Sequence, residues 1–231
     1  MDTKELENLI GYKFNDEKLL KTAMTHSSYA NDILGDNHKS NERLEFLGDA
    51  LLDAVVGEML YKRFPERDEG FLTKLRADIV CEKALGNAAL KMGLNKYLLL
   101  GKGEEQKGGR NKLSIVSDSV ESLIAAVYLD SGKDDISNVK ELILKILEET
   151  IELACAGKLQ LDSKTALQEK CQAKGITDIK YAIVAEDGPD HDKTFTAEVY
   201  ILGKPCGQGK GRTKKEAEGE AAKVALCGME E

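Results

Sequence analysis

From about residue 4 to 155, apolar side chains recur at three- and four-residue spacing between breaks rich in Gly and Asn, a helical pattern almost throughout. Asn15 is placed to cap a helix running to about Met24. Ser40 or Asn41 can cap a longer one that runs to about Phe64, just before Pro65. A third periodic stretch, from about Glu69 to Met92, stops at Gly93 as a glycine C-cap would stop it. Gly101 to Lys112 is polar and glycine-rich, an expected loop. It leads into the apolar run Leu113 to Leu129, and a last helix is predicted over about 134 to 156. No convincing strand is legible in this part.

Past Gly157 the periodicity changes. A helix is predicted from about Ser163 to Lys174, and Ile179 to Ala185 has the β-branched content of a strand. Thr194 to Leu202 alternates as a second strand, and a short third near 205 to 210 runs into a helix from about Thr213 to Leu226. The expected fold class is therefore a mainly α domain over residues 1–156, a linker over 157–162, and a small α+β domain of order α-β-β-β-α over 163–231. No internal repeat connects the two.

Composition narrows this picture. At 231 residues the chain can bury one large core or two smaller ones. With 42% hydrophobic and 32% charged residues and no apolar run near membrane-spanning length, a soluble protein without a membrane partner is expected. The start, Met-Asp-Thr-Lys-Glu-Leu, lacks the basic and apolar regions of a signal peptide, so a cytoplasmic location is expected. Cys81, Cys155, Cys171, Cys206 and Cys227 never form a Cys-x-x-Cys pair, which points to buried free thiols and not to disulfides or zinc. The net charge of −8 argues against nucleic acid as a whole-chain average. Yet Lys204, Lys210, Arg212, Lys214 and Lys215 fall within twelve residues that hold no acid, and phosphate binding depends on local placement of charge.

The candidate chemistry lies in carboxylates. On a helix, Glu42, Glu45 and Asp49 fall within roughly 60° of one another, opposite Leu44, Leu47, Leu51 and Val55. By itself such a stripe is most simply a solvated face. Asp118 and Glu121 are different, because they are the only charges in an apolar run with no Lys or Arg between 113 and 132. Buried ionised carboxylates cost several kcal/mol unless paired or bound to metal. Two acid clusters without His or Cys suit a hard cation, Mg²⁺ or Mn²⁺, before Zn²⁺.

Taken together, Asn41-Glu-Arg-Leu-Glu-Phe-Leu-Gly-Asp49, Asp118-Ser-Val-Glu121 and Asp68-Glu69-Gly70 resemble the motifs of bacterial-type ribonuclease III. Gly188-Pro-Asp-His-Asp-Lys-Thr-Phe195 and Gly207 to Glu218 resemble the RNA-contacting loops of its double-stranded RNA-binding domain. The likeness spans nearly the whole chain, with an endonuclease domain first and the binding domain second. It implies a double-stranded RNA-specific endoribonuclease, used in processing rRNA and other RNAs. Its products would carry 5′-phosphate and 3′-hydroxyl ends with short 3′ overhangs.

By that resemblance Glu45, Asp49, Asp118 and Glu121 are metal ligands, Asp49 and Glu121 also counting as catalytic, with Glu42 and Glu69 as auxiliary acids near the scissile phosphate. Mg²⁺ is the implied cofactor, Mn²⁺ its substitute, and no organic cofactor is expected. Phe46, about 40° from Glu42 on the wheel, is an apolar group among acids; a neighbouring helix can cover it, or, as in the family, a second subunit of a homodimer. Asp53, near the acidic stripe but outside the motif, reads as solvated surface. Thr165, Gln168 and Gln172 lie at i, i+3 and i+7, suited to 2′-hydroxyls in the minor groove. His191 would reach the next minor groove, and Lys210, Lys214 and Lys215 sit beside a helix N-terminus that favours phosphate.

Two rival classes are testable on the sequence. A non-catalytic duplex-RNA scaffold or regulator would not need the six acids, which are all present. A di-iron carboxylate bundle wants Glu-x-x-His pairs, but Ala23, Gly35 and Gly188 stand three before His26, His38 and His191. Nor do Gly207, Gly209 and Gly211 make a nucleotide fingerprint, since Arg212 follows where a dinucleotide site wants Gly.

Overall fold

A computed structural model describes residues 1–132, 136–159, 163–188 and 193–229. They fall into two compact units, Met1–Leu159 and Gln160–Glu231. The first unit is helical: α1 Thr3–Ile10, α2 Glu17–Ala23, α3 Ser27–Tyr29, α4 Glu42–Arg63, α5 Glu69–Val80, α6 Glu82–Met92, α7 Lys102–Gln106, α8 Leu113–Asp130 and α9 Ser137–Cys155. Among the described residues its only β-type contact is an isolated parallel bridge, Thr25 to Leu99. No helix among them is long and apolar enough to cross a membrane.

The centre of this unit is α8. Val116, Val120 and Leu123 to Val127 are fully buried, as are the serines at 119 and 122 to within a percent. Those serines stay in an apolar core because each hydroxyl is spent on a carbonyl, Ser119 on Val116 at 2.7 Å and Ser122 on Asn41 at 3.2 Å. α4 crosses α8 at Gly48, where an added Cβ would overlap the Glu121 carbonyl, so the two backbones touch. The buried side of α4 accordingly runs through Leu44, Gly48, Leu52, Val55, Val56 and Leu60, while Leu47 and Leu51 are only partly covered.

Two expected helix limits are corrected. Asp16, not Asn15, caps α2 by accepting the Lys18 N–H at 2.9 Å; the Asn15 N–H is held by Asp130 at 2.8 Å. The stretch read as one helix from Glu69 to Met92 is two, because Cys81 is extended (ψ 154°). α5 then packs on α4 while α6 packs on α8, a division made by tertiary contacts with no Gly or Pro to announce it. The expected loop at 101–112 holds the short helix α7 and a 3-10 turn, fastened by Arg110 to Glu105 and by Lys112 to Glu104 at 2.6 Å. Of the five thiols only Cys171 is buried; Cys206 and Cys227 are exposed and the other two intermediate.

The second unit has α10 Ser163–Ala173, β1 Ile179–Asp187, β2 Thr194–Ile201, β3 Lys204–Gly211 and α11 Lys214–Gly228. The strands form an antiparallel sheet in the order β1-β2-β3. Gly207, Gly209 and Gly211 face α11, and a Cβ at any of them would overlap that helix at Ala221, Ala225 or Ala217. The glycine alternation is thus a helix-on-strand packing device, sealed by Ala217, Ala221, Ala222 and Ala225.

Candidate functional site

The α4–α8 crossing brings one carboxylate oxygen each of Glu45, Asp118 and Glu121 within 4.8 Å of one another. Helical spacing places Glu45 three residues before Gly48, on the edge of α4 that rolls against α8. Asp118 and Glu121 occupy the one polar edge of α8 that reaches this seam. All three are half-buried, whereas Glu42 and Asp49 are exposed. The sequence stripe is therefore split, with Glu45 turned inward and Glu42 and Asp49 at the rim.

Their electrostatics record the crowding. Glu121 is pushed up to about 8, first by loss of solvation and then by Asp49, Asp118, Glu45 and Asp53. Glu45 is raised by burial and then by Asp118, Glu42 and Asp49. Asp118 is raised by burial, with Glu82 adding to the rise and the Ser117 hydroxyl and the His26 ring opposing it. Among the described residues no Lys or Arg pairs with these three acids, so the cluster is an all-oxygen, uncompensated site of the kind a hard divalent cation fits. Asp49 contributes through its field and stands outside the tight triad.

The remaining acids are distributed differently. Glu42 accepts the Ser40 hydroxyl at 3.3 Å. Glu69 opens α5 and accepts the Thr73 hydroxyl at 2.7 Å; it is absent from the groups that shift the triad. Asp53, expected as plain solvated surface, pairs with Arg76 at 3.7 Å and is felt by Glu121. Glu82 and His26 were not singled out from the sequence for this site, and no spacing rule could place them, since α6 and the 24–26 segment reach Asp118 only through the fold. Phe46 stands at the same rim, 82% exposed, with no helix among the described residues covering it.

In the second unit Thr165, Gln168 and Gln172 are all exposed on α10, and Lys210, Lys214 and Lys215 are exposed around the start of α11. That start is capped by Thr213, whose hydroxyl accepts the Glu216 N–H at 3.2 Å, while Glu216 accepts the Arg212 N–H at 2.9 Å. Lys214 leans over the Phe195 ring at 5.4 Å and pairs with Glu186 at 3.1 Å, which holds its ammonium at the sheet edge. His191 lies outside the described residues.

Comparison with known proteins agrees with both units. A family profile described as ribonuclease-III-like matches residues 16–151, and one described as the double-stranded RNA binding motif matches 163–229. A ribonuclease 3 of Pelotomaculum thermopropionicum is 47% identical over 221 residues, 96% of this chain and 90% of that protein. One from Streptococcus pneumoniae is 46% identical over 225 residues, 96% and 94% of the two chains. The solved nuclease domain of ribonuclease III from Campylobacter jejuni, described for structural flexibility in its dimer-forming region, superposes with a TM-score of 0.58 at 40% identity. It covers 64% of this chain and 97% of its own. With one profile spanning more than half the chain, and relatives nearly half identical along almost all of it, this protein belongs to the bacterial ribonuclease III family of double-stranded RNA-specific endoribonucleases.

Proposed function

We propose that the chain hydrolyses phosphodiester bonds in duplex RNA with Mg²⁺, or Mn²⁺ in its place, held by Glu45, Asp49, Asp118 and Glu121. The observation that supports this most is the uncompensated convergence of Glu45, Asp118 and Glu121, whose raised proton affinities mark a site built for positive charge. When bound, such cations neutralise the phosphate and activate water for in-line attack. The protein's own part is positional. Gly48 lets the two helices touch, the spent serine hydroxyls keep α8 dry, and Asp49 adds charge at the rim. Glu42 and Glu69 serve as auxiliary acids toward the substrate. Products carry 5′-phosphates and 3′-hydroxyls with short 3′ overhangs, and the substrates are ribosomal and messenger precursors in the cytoplasm.

We assign residues 1–156 to this chemistry and 163–231 to duplex reading by shape, with Thr165, Gln168, Gln172 and His191 toward minor grooves. Lys210, Lys214 and Lys215 face phosphates between them. Incubating a perfect duplex of about 30 base pairs with Mg²⁺, and in parallel with chelator, tests the reading. Cleavage in the first lane alone is expected; intact RNA in both would leave only a binding protein. Lys214→Ala with Lys215→Ala is expected to weaken binding to all duplexes alike and to flatten its salt dependence by nearly two charges, as measured by salt titration of the dissociation constant. Loss confined to some sequences would contradict it.

The exposed Phe46 beside the acid rim supports a homodimer in which each copy covers the other's phenyl ring and two acid clusters face one duplex. Phe46→Ala is expected to shift the sedimentation profile from dimer toward monomer at micromolar concentration. An unchanged dimer would remove this residue from the interface.

A further inference from the structure

We propose that His26 is a substrate-binding residue of the nuclease site, its Nε2–H acting as a preset donor to an RNA backbone oxygen beside the acid cluster. The inference rests on the nuclease reading above and adds a residue outside the acidic motifs.

The backbone around His26 is fixed from three sides. Its N–H donates to the Leu99 carbonyl at 3.1 Å, and the Leu99 N–H donates to Met24 at 2.8 Å. The neighbouring Thr25 carbonyl accepts the Asn41 N–H at 2.8 Å, and the Asn41 carbonyl accepts the Ser122 hydroxyl at 3.2 Å. Asn41 precedes Glu42 and Ser122 follows Glu121, so this chain of bonds ties the histidine segment to both acid-bearing helices.

The ring is fixed as well. Nδ1 accepts the Ser28 N–H at 3.2 Å and lies 2.8 Å from the Ser28 hydroxyl, which itself accepts the Gly101 N–H at 2.9 Å. A backbone N–H can only donate, so Nδ1 is the acceptor nitrogen, and in neutral imidazole the proton then sits on Nε2. Among the described residues Nε2 has no hydrogen-bond partner, although the side chain is half-buried. The ring is near enough to be felt by Asp118, and also by Glu104, which is held low first by its bond to Lys112.

A phosphate drawn to this site meets mostly acceptors. The nearby hydroxyls are committed: Thr25 to the Lys21 carbonyl at 2.6 Å, Ser117 to Ser114 at 2.8 Å, Ser119 to Val116 and Ser122 to Asn41. A lysine here would pair with Asp118 and compete with the cation. A neutral N–H donates to a phosphate or ribose oxygen without neutralising the acids.

The cap and the donor can be separated by substitution. In His26→Asn the side-chain oxygen still accepts the Ser28 N–H, and Asn is among the best N-caps, but no donor reaches the Nε2 position. In His26→Gln the amide nitrogen falls near Nε2 and the cap is weakened. Single-turnover cleavage of a 30-base-pair duplex by the full-length protein is expected to slow about 10- to 100-fold in His26→Asn, the effect of losing a hydrogen bond to a charged group. His26→Gln is expected to recover most of that rate. Manganese affinity, read from the free-ion paramagnetic resonance signal without RNA, should match wild type in both.

Wild-type rates in His26→Asn would show the residue to be only a cap and overturn the proposal. So would equal loss in both variants, or a fall in Mn²⁺ affinity that parallels the rate, which would mean action through the ligands. An inactive wild type would instead refute the nuclease reading itself, and this inference with it.

Discussion

Glu121→Gln is expected to abolish duplex cleavage, by more than about 100-fold, while leaving duplex affinity within twofold and making the metal-free protein more stable at pH 8. The rate loss follows from removing one charged oxygen donor from a site that has no nitrogen or sulfur alternative, where even outer contacts to a metal ligand are worth about 10- to 100-fold. The stability gain follows from proton affinity. Glu121 in the folded chain is pushed up to about 8, chiefly by desolvation and then by Asp49, from the ordinary glutamate value of 4.5. Between those two values the folded state holds a proton that the unfolded chain has released, so stability falls as pH rises through that window. Below it the group is protonated in both states and contributes no slope.

Glutamine removes the charge and so that slope, and with it the repulsion that Glu121 meets from Asp49, Asp118, Glu45 and Asp53. Allowing for water at this half-open site, the gain at pH 8 is about 2 kcal/mol, or several degrees in melting temperature. Thermal melts in chelator at pH 5, 6.5 and 8 measure it. A wild-type curve that rises with pH across this range, or a glutamine variant that melts lower at pH 8, would contradict the assignment.

Gly48→Ala is expected to cost about 3 kcal/mol or more and to lower the melting temperature by roughly 6 to 12 °C. An added methyl group at this position overlaps the Glu121 carbonyl, which belongs to a buried helix backbone and cannot rotate away. The helices must separate, opening the contacts of Leu52 and Val56 with the core. Cleavage should be lost even in the folded fraction, because separating α4 from α8 draws Glu45 away from Asp118 and Glu121, and displacements of about 1 Å suffice to disable a site.

Gly57→Ala on the same helix is the control. A Cβ there meets only the Arg76 side chain, no closer than 3.8 Å, so the better helix propensity of alanine should leave stability equal or up to about 1 kcal/mol higher. Equal melting of the two variants would mean that Gly48 is not the contact that sets the crossing.

Much of this architecture is legible without coordinates. The apolar run at 113–129, with acids only at 118 and 121, already requires a covered helix with an unexplained polar edge, and α8 is that helix. The change of periodicity after Gly157 marks the sheet-containing unit, and its three strands lie within a few residues of the expected limits. Local patterns carry this information because burial of one face imposes its period on the residues of the same element.

Other features leave no local trace. The extended Cys81 sits inside an unbroken apolar periodicity, since what divides α5 from α6 is that each packs on a different helix. The glycines at 207, 209 and 211 look like a candidate loop fingerprint, and only the approach of α11 explains them. Lys214 belongs to a basic cluster in sequence, yet in space it is tethered to Glu186 of β1.

The amino-acid sequence by itself determined which carboxylates exist, on which helices, and that two of them sit where no local cation can relieve them. Only the tertiary structure decided which acids meet. Glu42, Glu45 and Asp49 share one stripe by helical geometry, but the Gly48 contact rolls Glu45 alone into the triad with Asp118 and Glu121, while the packing of α6 and of the 24–26 segment brings Glu82 and His26 into the field of Asp118. Helical spacing sets angles about one axis. Desolvation and mutual repulsion depend on the distance between two axes, which here is set by the absence of a single side chain.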